Sequence, residues 1–180
     1  RRQDLPYLEA HVEGKTPGGQ KRIDLRIVRR GSNQVVLTGE VKMPDKPYGR
    51  NVLGTDLLND AFEKASRTGA TYYFTWNVNR MVLFRTHEEG VPYTERVQGE
   101  FAVTEITHSD EALEERAQGD VQRFWEELLD RLLRLERGVE EFPSLPLDER
   151  FIRRLEYALE EPLLRPKVGL ERRWRKAKDF

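Results

Sequence analysis

The chain of 180 residues contains no cysteine. Disulfides and thiolate-held metal clusters are therefore excluded. No apolar run approaches the roughly 20 residues of a membrane span, and no charged segment followed by an apolar core marks a signal peptide. A soluble, cytoplasmic protein is the expectation. An excess of one charge is also missing: 31 basic residues face 32 acidic ones, for a formal net charge of −1 at pH 7. A uniform basic coat that binds nucleic acid by composition alone is thereby excluded. The three histidines, His11, His87 and His108, have no metal-ligand spacing with one another and read as surface or loop residues. Gly18-Gly19 lacks the Lys-Ser/Thr tail of a phosphate-binding loop. The first residue is Arg1 rather than Met, so a piece of a longer chain is expected.

The near-neutral sum conceals an uneven distribution. Residues 1–60 carry 11 basic and 8 acidic groups, whereas residues 108–140 carry 5 and 10. The acidic block falls on a helical pattern, where it reads as a solvated face. The first 107 residues mix helix and strand signals. A short helix is expected over 4–13, capped by Asp4, with Leu5, Leu8 and Val12 on one face. Thr16-Pro17-Gly18-Gly19 is a turn. Residues 22–29 alternate, with Ile23, Leu25 and Ile27 opposite Arg22, Asp24 and Arg26. Gly31-Ser32-Asn33 then turns the chain into a partner strand over 34–42.

Residues 43–54 hold two prolines and two glycines and form a loop. Thr55 is expected to cap a helix over 56–68 with Leu57, Leu58, Ala61, Phe62 and Ala65 on its apolar stripe, and Gly69 to end it. Residues 70–76 and 81–85 make a second strand pair, and 93–106 read as further strand. Helices follow: Asp120 capping 121–137, then a linker at 143–146, then 149–160. The basic end 171–178 has no clear pattern. A boundary after residue 107 would separate a first domain, 1–107, from a helical subdomain or connector, 108–180.

The polar residues in the first strand pair carry the chemistry. Asp24 is the one acidic residue of its strand. Glu40 and Lys42 are two apart and so share one face of the next strand. Paired in a hairpin, Asp24 and Glu40 approach each other, and two carboxylates at one point repel unless a cation lies between them. Few hard oxygen ligands suit Mg²⁺, which keeps several waters. A lysine beside such an ion orients or deprotonates water, as phosphodiester hydrolysis requires. The triplet Glu-x-Lys alone has no weight: it occurs twice, at Glu13-Gly14-Lys15 and at Glu40-Val41-Lys42. Only the second follows an aspartate strand and precedes a loop and helix. Taken alone, Asp24, Glu40 and Lys42 read as an ion-paired polar face before they read as a site. Trp76, Tyr72 and Tyr73 read as core before they read as base-stacking rings.

IDLRIV, a turn and VVLTGEVKMPD, followed by a helix and YYFTWNVNRMVLF, resemble the core of the PD-(D/E)xK nuclease superfamily, as found in restriction–modification enzymes. The resemblance covers residues 4–86. It implies an α+β, restriction-endonuclease-like fold: a central mixed sheet flanked by helices, here with a C-terminal helical extension. It implies a Mg²⁺-dependent DNA endonuclease domain, with Mn²⁺ able to substitute. Asp24, Glu40 and Lys42 would be catalytic. Asp24, Glu40, the Val41 carbonyl and Glu9 from the first helix would hold the metal, with Glu13 a second candidate. Lys46, Arg50 and Lys64 follow the site and would contact phosphates. Where some relatives carry glutamine on the second helix, this chain offers Asn59 and Lys64. Methyltransferase or helicase domains or subunits of the same system are implied partners, beside DNA and a second copy of the chain; no membrane partner is implied. The runner-up reading is a catalytically silent nuclease-like scaffold that binds DNA or docks a partner. A nuclease acting on RNA ranks third.

Overall fold

A computed structural model describes residues 7–15 and 22–139, with backbone alone for 8–15. The turn at 16–19, the linker at 143–146, the helix expected over 149–160 and the basic end 171–178 lie outside the described residues. Six strands form one sheet whose spatial order follows the chain. They are β1 (Tyr7–Lys15), β2 (Arg22–Arg29), β3 (Val35–Val41), β4 (Tyr72–Trp76), β5 (Arg80–Arg85) and β6 (Val97–Ala102). Helix α1 (Thr55–Thr68) joins β3 to β4, and α2 (Glu115–Glu136) follows β6. Neighbouring strands are antiparallel except β3 and β4, which run parallel. A parallel pair needs a crossover, and α1 supplies it.

The first element corrects the sequence reading: residues 7–15 form a strand, not a helix. Leu8 and Val12 fit a helical spacing, but Leu8, Ala10 and Val12 equally fit a period of two. Ladder pairing with β2, from Tyr7 opposite Arg29 to Lys15 opposite Arg22, decides between them. Pairing with a neighbour outweighs local preference in so short a segment.

Each helix covers one face of the sheet, which explains why the middle strands are buried on both sides. Leu58, Ala61 and Ala65 of α1 pack with Tyr73, Val82 and Phe84. Phe124, Leu128 and Leu132 of α2 pack with Leu37, Phe74, Trp76, Met81 and Leu83. Residues alternate along β4 and β5 between these two clusters, as a period of two demands. Tyr72, Tyr73 and Trp76 are buried, so they belong to the core rather than to a base-stacking surface. Gly39 on β3 leaves room for the Phe74 ring; a Cβ there would lie 2.3 Å from it.

Several boundaries move. Thr55 is the first residue of α1 and not its cap; Gly54 holds the cap position without a side-chain bond. Gly69 ends α1 in the left-handed conformation, φ 66°, as its placement after the apolar stripe predicts. The segment 93–106 contributes strand only over Val97–Ala102. Helix α2 starts at Glu115, so Asp120 lies inside it. The compact unit runs to Pro143, past the boundary expected after residue 107, because α2 forms one wall of the core.

Candidate active site

The hairpin of β2 and β3 sets the geometry. Leu25 pairs with Gly39, and one step further that register places Asp24 opposite Glu40. Opposed residues of an antiparallel pair share a face and come within side-chain reach. The Lys42 ammonium lies 3.3 Å from Asp24 Oδ2 and 3.3 Å from Glu40 Oε2. The Val41 amide donates to Asp24 Oδ2 at 2.9 Å and fixes that carboxylate against β3. The expected trio is therefore brought together, with Val41 beside it.

Burial differs sharply within the trio. The Glu40 side chain is 1% exposed, while those of Asp24 and Lys42 are 31% and 35% exposed. Burial pushes the Glu40 carboxyl up to about 7; Asp24 adds to the rise, and Lys64 and Lys42 oppose it. Lys42 shifts upward too: burial pulls it down, but the carboxylates of Asp24 and Glu40 outweigh that pull. At neutral pH Lys42 is thus an ammonium, a group that orients and donates rather than one that takes a proton.

The buried carboxylate has a second partner. Lys64 of α1 is 5% exposed and bonds Glu40 Oε1; its ammonium also lies 2.8 Å from Asp60. Lys64, expected among the phosphate contacts, faces inward. The signal was present: Lys64 falls seven residues after Leu57 and three after Ala61, on the buried stripe of α1. A lysine on such a stripe needs an internal counter-charge. Lys46 and Arg50 are exposed on the loop after β3, as phosphate contacts must be, and Lys46 pairs with Asp45 at 3.2 Å.

That loop is held firmly. Lys46 N–H donates to Met43 and Gly49 N–H to Lys46, both at 3.0 Å, and the Asn77 amide donates to the Gly49 carbonyl at 2.8 Å. Beside it, Lys42, Tyr48, Asp56, Leu57, Asn59, Asp60 and Glu63 line an open cleft of about 380 Å³. The trio therefore opens to solvent through Lys42.

Glu9 lies on β1 opposite Val28, four residues along β2 from Asp24. At about 3.3 Å per residue that is a separation of roughly 13 Å, and no helix carries it toward the site. The same ladder brackets Glu13: Val12 pairs with Leu25 and Gly14 with Ile23, which puts Glu13 at the position opposite Asp24. Among the described residues no three side chains of His, Cys, Asp or Glu cluster as a metal cage. His87 and His108 are exposed. Two converging carboxylates that already share one cation nevertheless suit a hard divalent ion that retains waters.

No protein-family model matches the chain, and no curated protein does. Among solved structures it is similar to the type IIG restriction endonuclease BpuSI, at TM-score 0.53 and 15% identity. The fold is restriction-endonuclease-like. The match covers 71% of this chain and 14% of the BpuSI chain, so the described core corresponds to a small part of that enzyme. In this sheet β2 carries Asp24 and β3 carries Glu40, with Lys42 directly after β3. No helix among the described residues is long and apolar enough to cross a membrane.

Proposed function

We propose that this chain is a divalent-metal-dependent DNA endonuclease domain, the nuclease module of a restriction–modification enzyme. The observation that carries the reading is the convergence of Asp24 and Glu40 on one ammonium, Lys42, which lines an open cleft. Asp24, Glu40 and the Val41 carbonyl would hold Mg²⁺ or Mn²⁺, and Glu13 opposite Asp24 replaces Glu9 as the further carboxylate. A divalent ion held there would stabilise charge on a phosphate and acidify a bound water. Lys42 would orient the attacking water and neutralise charge developing on the phosphate. Lys46 and Arg50, exposed beside the cleft, would contact the DNA backbone. The product would carry a 5′-phosphate. Sequence reading, methyl transfer and ATP hydrolysis would reside in other domains or subunits.

The test is cleavage of supercoiled DNA in Mg²⁺ or Mn²⁺, with RNA assayed alongside. Asp24→Asn and Lys42→Ala should each abolish divalent-dependent cleavage while the melting transition persists. Cleavage that survives both substitutions overturns the assignment. A silent scaffold would bind DNA with no divalent-dependent nicking and no metal-linked rise in melting temperature.

A further inference from the structure

Glu40 has two carboxylate oxygens, and the structure gives them different surroundings. Oε2 faces Lys42, 3.3 Å away, on the side of Asp24 and the cleft. Oε1 is bonded by Lys64 of α1. Lys64 itself cannot drift: it is 5% exposed, it sits on the packed stripe of α1, and Asp60 one turn earlier holds its ammonium at 2.8 Å. A buried ammonium between two carboxylates is costly to move, because any displacement leaves an uncompensated charge. Oε1 is therefore committed to the protein interior.

We infer that Lys64 is a positioning residue that restricts Glu40 to one donor oxygen and thereby biases the site toward Mg²⁺ and against Ca²⁺. The inference rests on the proposed reading of Asp24 and Glu40 as metal ligands and names the selectivity of that site. Ca²⁺ takes six to eight oxygens and readily accepts a bidentate carboxylate; Mg²⁺ takes six in a tight octahedron and fills most places with water. Denying Glu40 its second oxygen removes a contact that Ca²⁺ would use and Mg²⁺ would not. The Lys64 charge also repels any divalent ion, but it does so equally for two ions of equal charge. The ratio of the two affinities consequently isolates the effect on denticity from the effect of charge.

The measurement is calorimetric titration of the protein with Ca²⁺ and, separately, with Mg²⁺, in the absence of DNA and at about pH 8.5, above the carboxylate range. Lys64→Met keeps the length and apolar packing of the side chain and frees Oε1. It should move the Ca²⁺/Mg²⁺ affinity ratio toward Ca²⁺ by about tenfold or more, the worth of one added contact. Lys64→Arg, which retains charge and donor, should leave the ratio near that of the wild type. An unchanged ratio in folded Lys64→Met overturns the inference. A crystal of the wild type grown in Ca²⁺ gives a check that no variant's folding affects: Glu40 should meet the ion through one oxygen while Lys64 keeps the other, and a bidentate Glu40 overturns the inference. If wild-type protein binds neither ion and cleaves nothing, the nuclease reading itself fails; binding and cleavage with an unaltered ratio removes only the role of Lys64.

Discussion

Glu40 shows how much chemistry one buried side chain can set. Its carboxyl is raised from 4.5 to about 7 by burial first, so the folded state holds a proton that the unfolded state releases. The native form binds more protons across that window, and stability from this group falls as pH rises from about 4.5 to about 7, then levels. Melting temperatures measured without divalent ions across that range should show the decline in the wild type, and Glu40→Gln should flatten the difference between the two curves. Divalent binding must expel the proton, so apparent affinity should drop up to tenfold per unit below about pH 7. Titration calorimetry in buffers of different ionisation enthalpy would count that proton. Glu13→Gln should weaken divalent binding as well, whereas Glu9→Gln should not, since only Glu13 stands opposite Asp24. At this scale the trio was legible because alternation in a strand fixes which residues share a face. Lys64 was not, because its counter-charges lie partly on a different element, and only its place on an apolar stripe betrays it.

Among the elements, β3 is the one that holds the site in place. Val36 to Glu40 are all buried, and β3 has a strand neighbour on each side, one antiparallel and one parallel. Gly39, next to Glu40, allows the Phe74 ring to lie against the backbone. Gly39→Ala should destabilise the fold by about 1–3 kcal/mol through overpacking, and chemical denaturation would measure it. Because Phe74 sits in the cluster sealed by α2, the strain would reach that helix and not α1. The strands β2 to β5 and helix α1 were readable from periodicity and turn residues within one or two positions. β1 was not, since nine residues satisfy two periods at once and only the partner strand chooses. The start of α2 was misplaced because Asp120 resembles a cap, while the true entry is Glu114 in extended backbone with no side-chain cap bond.

At the scale of the whole molecule, the acidic helix is part of the core and not an appendage. Helix α2 carries six of the ten acidic groups of residues 108–140, and its inner face buries Phe124, Leu128 and Leu132. Burying three such side chains contributes about 5–9 kcal/mol, comparable to the total stability of a small domain. A chain ending at residue 107 should therefore be insoluble or molten, and one ending at residue 143 should melt cooperatively; circular dichroism on the two fragments decides this. Residues 1–60 carry 11 basic groups against 8 acidic ones, only a mild positive bias. DNA affinity of this unit alone should be weak and should fall steeply with added salt, which fluorescence anisotropy on a short duplex would record. The change from strand to helix signals after residue 107 resembles a domain junction, and in the fold it marks the change from one layer to the next.

The strand order has a consequence for the growing polypeptide. Because space follows sequence from β1 to β6, each strand finds its neighbour already made, and only β4 must wait for α1. The cover for Phe74, Trp76 and Leu83 is translated after the sheet, beginning 13 residues after β6 ends at Ala102 and finishing at Glu136. At about 5–20 residues per second, the finished sheet stands with one greasy side bare for roughly 2–7 s on the ribosome. Codon choice between residues 103 and 136 thus governs how long a nascent chain is exposed to aggregation, although none of those codons specifies a residue of the proposed trio.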